Sequence, residues 1–554
     1  MKDEITVGDI VAEFLQAIGV TTAFGVVSVH NTPMLDAIGR RNAIRFVKAR
    51  GEAGAGRMAD AYSRVTGGLG VLFTSTGPGA ANACGALVEA RFSGAPLLHL
   101  TGQTATKNVD RERGTVHDVP DQLGMLKSVS KTAYRIRSAE NVLGVLSMAA
   151  AEALTAPTGP VSIEIPIDIQ RTKVVRPNNL QDFNLSLEEP QRPDAASIEE
   201  LVKIAKGAKR PLLWLGNGAK YAGREAQRLA DMGFGIITSL AGRGVVPEDH
   251  PMVLGCLKDL SKVEDFMQTS DLLIIAGSRV RGHETRDFEL KLPKNRVQID
   301  INPAANGRTY STDQFICADA QTTLAELADK LEGSIGVEQK FGEEIGTLKA
   351  EVMKDYEELL GPYGSFAQQL RNVMPRDAIW VRDITLNNST WGNRTFPVTS
   401  PKNHVFALGA AIGLGVAHGI GAAVAAPGRK VVCMCGDGGF FMGFADFWTA
   451  TQERADIVFL VMNDGGYGVI KHIQDTFHDG RHFFADFAHP SLEGCAELAK
   501  MPYWKVESAA NLTAHVQEAL DVNGPALVEV DMSQIGAFPR YFVPPKADSK
   551  YTRS

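Results

Sequence analysis

Apolar residues along the chain come in short unbroken runs, and each run stops at a glycine-rich segment. TAFGVV (22–27), GVLFTSTGPG (70–79), PLLWLGNG (211–218), LLIIAGSR (272–279), VVCMCGDGG (431–439) and VFLVMNDGG (458–466) share this form. Each reads as a buried strand ending in a tight turn. The stretches between them are helical in pattern. Continuous apolar strands alternating with helices predict parallel α/β sheets covered on both faces.

The pattern restarts twice. A first block closes on the buried strand GPVSIEIPIDI (159–169). A polar linker with three prolines follows at 171–194. The second block carries PLLWLG, GIITSL, LLIIAG and RVQIDI as strands, and a charged helical connector (342–360) leads to the third. The third ends with the strand ALVEVDM and a tail from 540. The expected architecture is three doubly wound parallel-sheet domains, at 1–172, 190–335 and 360–545. The first and third blocks share a rhythm without visible repetition.

Length agrees: 554 residues exceed one core, and ~150 residues per domain predicts three or four. Lys plus Arg number 57 against 64 Asp plus Glu, a formal charge of −7. With no basic block, nucleic acid is not expected as a partner. Six scattered cysteines show no CxxC spacing, which argues against disulfides and structural zinc and for a cytoplasmic location. No signal core or membrane span is read, so no membrane partner is expected. The 55 glycines exceed the ~7% average, and glycine weakens helices and strands, so the excess asks for a reason.

Candidate chemistry concentrates at three places. Gly436-Asp437-Gly438 follows one apolar strand, and Asn463-Asp464-Gly465-Gly466 follows another. A lone GDG is an ordinary tight turn. Two such turns on adjacent strands of one crossover place two carboxylates together at the ligand-binding edge of a sheet. With a turn carbonyl they make a hard oxygen site for Mg²⁺ or Ca²⁺ where a diphosphate supplies the other ligands. The second place is Glu52, which opens a helix rich in Ala and Gly; it is either a functional acid or a charge satisfying free helix-start amides. The third is Gly77-Pro78-Gly79 with Asn82, by itself a weak phosphate-loop look-alike.

Together these residues resemble the thiamine-diphosphate enzymes of the acetolactate synthase, pyruvate decarboxylase and benzaldehyde lyase superfamily, with the nearest likeness to acetolactate synthases. The resemblance covers the whole chain, in the order pyrimidine-binding, central Rossmann-like and diphosphate-binding domain. It implies that Glu52 hydrogen-bonds the cofactor's aminopyrimidine. It implies Asp437, Asp464 and the carbonyl of Gly466 as Mg²⁺ ligands. Ala410 and Ile412 would support the pyrimidine and the bent cofactor. Gly436, Gly438, Gly439, Asn387, Gly77 and Asn82 would also contact it. Glu52 would act across a subunit boundary, making a homodimer the minimum and a homotetramer the expected assembly.

The substrate side departs from biosynthetic acetolactate synthases. His30 is similar to the proton-transferring histidine of benzaldehyde lyase. His117 stands where synthases carry Gln, Ile473 where they carry the Trp that selects the second 2-oxoacid, and Ile470 where pyruvate decarboxylases carry an acid. His30 and His117 are therefore expected as catalytic residues acting on small carbonyl substrates, although His30 could merely cap a helix and His117 could be a surface loop residue. The expected activity is lyase or carboligase chemistry on 2-oxoacids or 2-hydroxyketones. A 2-oxoacid decarboxylase, an FAD-dependent oxidase and a non-catalytic cofactor-binding paralogue are the alternatives. FAD would sit in the central domain, but the altered segment GSRVRGHETRD (277–287) weighs against it.

Overall fold

The structure is a computed structural model that describes residues 3–539; the tail from 540, including the end of the third expected domain, lies outside the described residues. Three six-stranded parallel sheets carry the chain. The first runs, edge to edge, Arg45–Lys48, Thr22–Gly25, Gly70–Thr74, Leu97–Gln103, Pro160–Pro166, Thr132–Arg135. Numbered along the chain, that order is 2-1-3-4-6-5. The third runs His404–Phe406, Ile379–Arg382, Val431–Gly436, Ile457–Asn463, Ala526–Asp531, Tyr503–Val506, which is the same order. The rhythm shared by the first and third blocks is thus a shared topology. The central sheet differs: its order is 3-2-1-4-5-6, starting the count at Pro211–Leu215, the dinucleotide-fold arrangement. A two-stranded antiparallel pair, Glu4–Thr6 with Lys173–Val175, joins the ends of the first domain.

The unbroken apolar strands are explained by burial on both faces. In the third sheet Val431, Cys433 and Cys435 face one core while Val432 and Met434 face another. The core on the first of these faces is shared between domains: Leu72, Ala83 and Leu87 pack in it with Val416, Ile420 and Phe459. Helices Glu52–Thr66 and Gly415–Ala425 fill this shared layer. Small residues permit the approach. A Cβ on Gly421 would lie 2.3 Å from the Met58 carbonyl oxygen, and one on Gly56 would lie 2.6 Å from Ala86 Cβ.

Two local expectations need correction. Asp437 is not in a free turn; it is the first residue of the helix Asp437–Met442. The strand at Pro160–Pro166 stops at its proline, and Ile167–Arg171 is helical.

Candidate active site

In an open parallel sheet, a crevice forms where neighbouring strands send their connections to opposite faces. In the third sheet that place lies between Ile379–Arg382 and Val431–Gly436. A cavity of about 460 Å³ opens there, within the size range of small-molecule sites. Gly436, Gly438, Gly439 and Gly466 line it, together with Asp464. Asn387, Ala410 and Ile412 line it as well. A Cβ on Gly438 would lie 2.7 Å from the Tyr467 ring, and one on Gly439 would lie 2.9 Å from Asp383 Oδ2. The glycines are what lets the backbone itself form the wall.

Asp437 is fully buried beneath this wall. Its Oδ2 has no hydrogen-bond partner among the described residues, and His489 Nε2 stands 3.5 Å away. The Asp464 amide donates a long bond of 3.5 Å to Asp437 Oδ1. Burial first, and the Asp437 carboxylate second, push the Asp464 carboxyl up to about 7. The Gly466 carbonyl oxygen faces the same gap, 3.4 Å from where a Gly438 Cβ would be. Two repelling carboxylates and a carbonyl, with one oxygen orphaned, fit a hard divalent cation. Among the described residues no cluster of three or more side chains could hold a metal unaided. The remaining oxygens would have to come from a ligand or water, as a diphosphate provides.

The loop over the cavity is held by residues that sequence reasoning missed. Asp383, fully buried at the end of its strand, accepts hydrogen bonds from Gly413 N at 3.0 Å and Gly415 N at 2.9 Å. Glu89 of the first domain accepts from Leu408 N at 2.7 Å and Gly409 N at 2.8 Å. Arg57 donates to the Gly413 carbonyl at 2.7 Å. Between these anchors Ala410 adopts φ +60°, a strained conformation for a residue with a side chain, of the kind that collects at functional sites. An acid immediately after a buried strand was the available signal for Asp383; Glu89, inside the helix Pro78–Ser93, offered none.

The matching crevice of the first sheet lies between Thr22–Gly25 and Gly70–Thr74. There the rings of His30 and His117 come together, with centroids 5.2 Å apart. Ser75 Oγ lies 3.3 Å from His117 Nδ1. Gly77, at φ +57°, makes room: a Cβ there would sit 2.2 Å from the His117 carbonyl oxygen. Gln170 donates to the His30 carbonyl at 2.7 Å. His30 Nδ1 is buried without a partner among the described residues. Burial, then His117 and Arg171, pull the His30 pKa down. His30 does not cap the following helix; Asn31 is at that position. Glu52 opens its helix and is buried, and Asn82 Nδ2 donates to its Oε2 at 3.2 Å. Gly79 permits this, since a Cβ would lie 2.7 Å from Glu52 Oε1.

The predicted residues therefore form two constellations. Glu52, Asn82, Gly77, His30 and His117 gather on the first domain, and none of them lines the cavity of the third.

Family models match three stretches of the chain. The N-terminal TPP binding domain of thiamine pyrophosphate enzymes matches residues 5–125, the central domain 198–327 and the C-terminal TPP binding domain 386–530. The chain belongs to the thiamine pyrophosphate enzymes. It is an acetolactate-synthase-like member of that family and an enzyme dependent on thiamine diphosphate, the same cofactor by its other name. The large subunit of acetolactate synthase isozyme 1 from Escherichia coli (strain K12) is 27% identical over 96% of this chain and 94% of its own. The acetolactate synthase large subunit of Corynebacterium glutamicum is 26% identical over 95% and 86%. A probable 2-ketoarginine decarboxylase of Pseudomonas aeruginosa is 27% identical over 84% and 83%. Relatives of this thiamine pyrophosphate enzyme thus include both synthases and a decarboxylase. Among the described residues no helix is long and apolar enough to cross a membrane.

Proposed function

We propose that this enzyme breaks or forms a carbon–carbon bond beside a carbonyl, using 2-oxoacids or 2-hydroxyketones. The observation that carries the reading is the histidine pair of the first crevice combined with an apolar cavity in the third domain. Met442, Met462, Val469 and Ile470 line that cavity. Thiamine diphosphate supplies, when bound, a heterocycle able to stabilise negative charge on a former carbonyl carbon. Asp437, Asp464 and the Gly466 carbonyl would hold Mg²⁺ against its diphosphate. Glu52, oriented by Asn82, would hold and return a proton at a cofactor ring nitrogen. His30 and His117 would exchange protons with the substrate oxygen. With no carboxylate at Ile470, the side-chain set favours lyase or carboligase turnover over plain decarboxylation.

The two constellations need each other, and a second copy of the chain would bring them together. Apolar rims support this. Val27, Val29 and Val116 beside the histidines are 63%, 66% and 70% exposed, and Met442 and Ile470 at the other cavity are 55% and 43% exposed. We take a homodimer as the minimum and a homotetramer as the expected assembly. The altered segment at 277–287 in the central domain supports a flavin-free enzyme.

The test is a panel of 2-oxoacids and 2-hydroxyketones with thiamine diphosphate and Mg²⁺, read by mass spectrometry. Coupled or cleaved ketone products are expected; carbon dioxide and free aldehyde alone would favour the decarboxylase reading. Glu52→Gln is expected to lose ~100-fold or more in kcat/KM, and full retention would overturn the assignment. A yellow, oxygen-consuming preparation would establish the oxidase reading instead.

A further inference from the structure

A second cavity, about 130 Å³, lies where the three domains meet, away from the diphosphate cradle. Each domain contributes basic side chains to its wall: Arg64 from the first, Lys220 from the central, Lys402 and His404 from the third. Arg64 is neutralised by Asp60 at 2.8 Å and Glu89 at 2.7 Å. Lys220 and Lys402 are not. No carboxylate among the described residues pairs with either. Lys402 Nζ donates to the Thr66 carbonyl at 3.1 Å, and Lys220 Nζ stands 5.1 Å from the Tyr221 ring centroid. Tyr221 Oη and Lys402 Nζ lie 3.4 and 3.5 Å from the point a Gly67 Cβ would occupy, so both reach one corner of the cavity. Burial first, then Arg64 and Lys402, pull the Lys220 ammonium down to about 8.

A further positive charge lies behind the wall. Arg382 is fully buried, and its Nε and Nη1 have no partner among the described residues. It rests on the Phe406 ring at 5.3 Å, and its Nη2 lies 3.4 Å from His404 Nδ1. His404 and Phe406 are themselves walls of the cavity. An uncompensated buried cation is costly; fully buried Arg382 and half-buried Lys220 stand around one small space, and the exposed Lys402 completes the set.

We propose that this three-domain cavity binds a small dianion of the phosphate class, held by Lys220, Lys402 and Tyr221. The volume admits a tetrahedral oxyanion with a few waters. Bound there, the anion would tie the helix that carries Glu52 and Arg64 to both other domains.

The test uses the holoenzyme saturated with thiamine diphosphate and Mg²⁺, so that the diphosphate cradle is filled. Inorganic phosphate is titrated against chloride at matched ionic strength, and the thermal midpoint and calorimetric binding are followed. A saturable upward shift with phosphate, absent with chloride, is expected. Lys220→Met and Lys402→Met should each weaken the apparent affinity by about tenfold or more. Arg308→Met, in the adjoining central cavity, should leave it unchanged. Without phosphate, Lys220→Met should melt no lower than the parent, because it removes an unpaired cation. An equal response to chloride, a response that survives both lysine variants, or one abolished only by Arg308→Met would overturn the proposal. A small phosphomonoester such as glycerol phosphate that displaces phosphate, with the same variant dependence, would assign the anion to an ester; failure to displace it would assign it to the free ion.

Discussion

Asp437, buried, and Asp464, half-buried, present two carboxylates to one gap, and that repulsion sets what substitution there does. Replacing Asp464 by Asn removes one charge and leaves the Gly466 carbonyl in place. The cofactor-free protein should then melt higher than the parent, while the further rise on adding thiamine diphosphate with Mg²⁺ should shrink. Differential scanning fluorimetry on the two states reads both changes, and a lower midpoint for the free variant would refute the repulsion. These carboxylates were legible in the sequence because each follows an apolar strand at a glycine-rich stop. Glu89 was not, because an acid inside a helix announces nothing until the Leu408–Gly409 backbone is seen to need an acceptor.

At the scale of elements, the strand Leu97–Gln103 carries a polar cross-tie through the first sheet. His99 Nε2 meets Thr74 Oγ1 at 2.8 Å, and its Nδ1 meets Ser162 Oγ at 2.9 Å. Burial lowers the His99 pKa to about 3. Its folded value lies below its unfolded one, so the unfolded chain takes the proton first. Stability from this residue is therefore complete above about pH 6.5 and is lost as pH falls toward 3, by up to a few kcal/mol. A His99→Gln variant should show a shallower loss of thermal midpoint between pH 6.5 and pH 4; an unchanged slope would exclude His99 as the source. Helix packing gives a second expectation. Gly421→Ala would drive a methyl against the Met58 carbonyl and part the two interdomain helices, costing about 1–3 kcal/mol and lowering the midpoint at fixed scan rate. The apolar runs revealed inner strands of all three sheets but not the edge strands, nor Leu97–Gln103, whose buried His99, Thr101 and Gln103 break the apolar pattern. Helix Asp437–Met442 escaped, because Gly-Asp-Gly-Gly reads as a turn unless its neighbours are known.

For the whole molecule, the proposed function would make activity depend on assembly through the apolar rims around the two crevices. Val27→Glu places a charge on the exposed rim without touching the core. It should shift the protein toward single chains in size-exclusion chromatography with light scattering, and activity should fall in step; full activity from single chains would overturn the shared site. Sequence reasoning reached this separation only through family likeness, since no spacing along a chain tells which two surfaces of separate copies meet. The common strand order of the first and third sheets has a further meaning. The histidine crevice and the glycine cradle occupy the same place on two copies of one design, yet they belong to different thirds of the polypeptide. On the proposed function, substitutions at His30 or His117 would bear on proton exchange with the substrate, and those at Asp437 or Asp464 on the metal. A change at one crevice can therefore leave the residues of the other untouched.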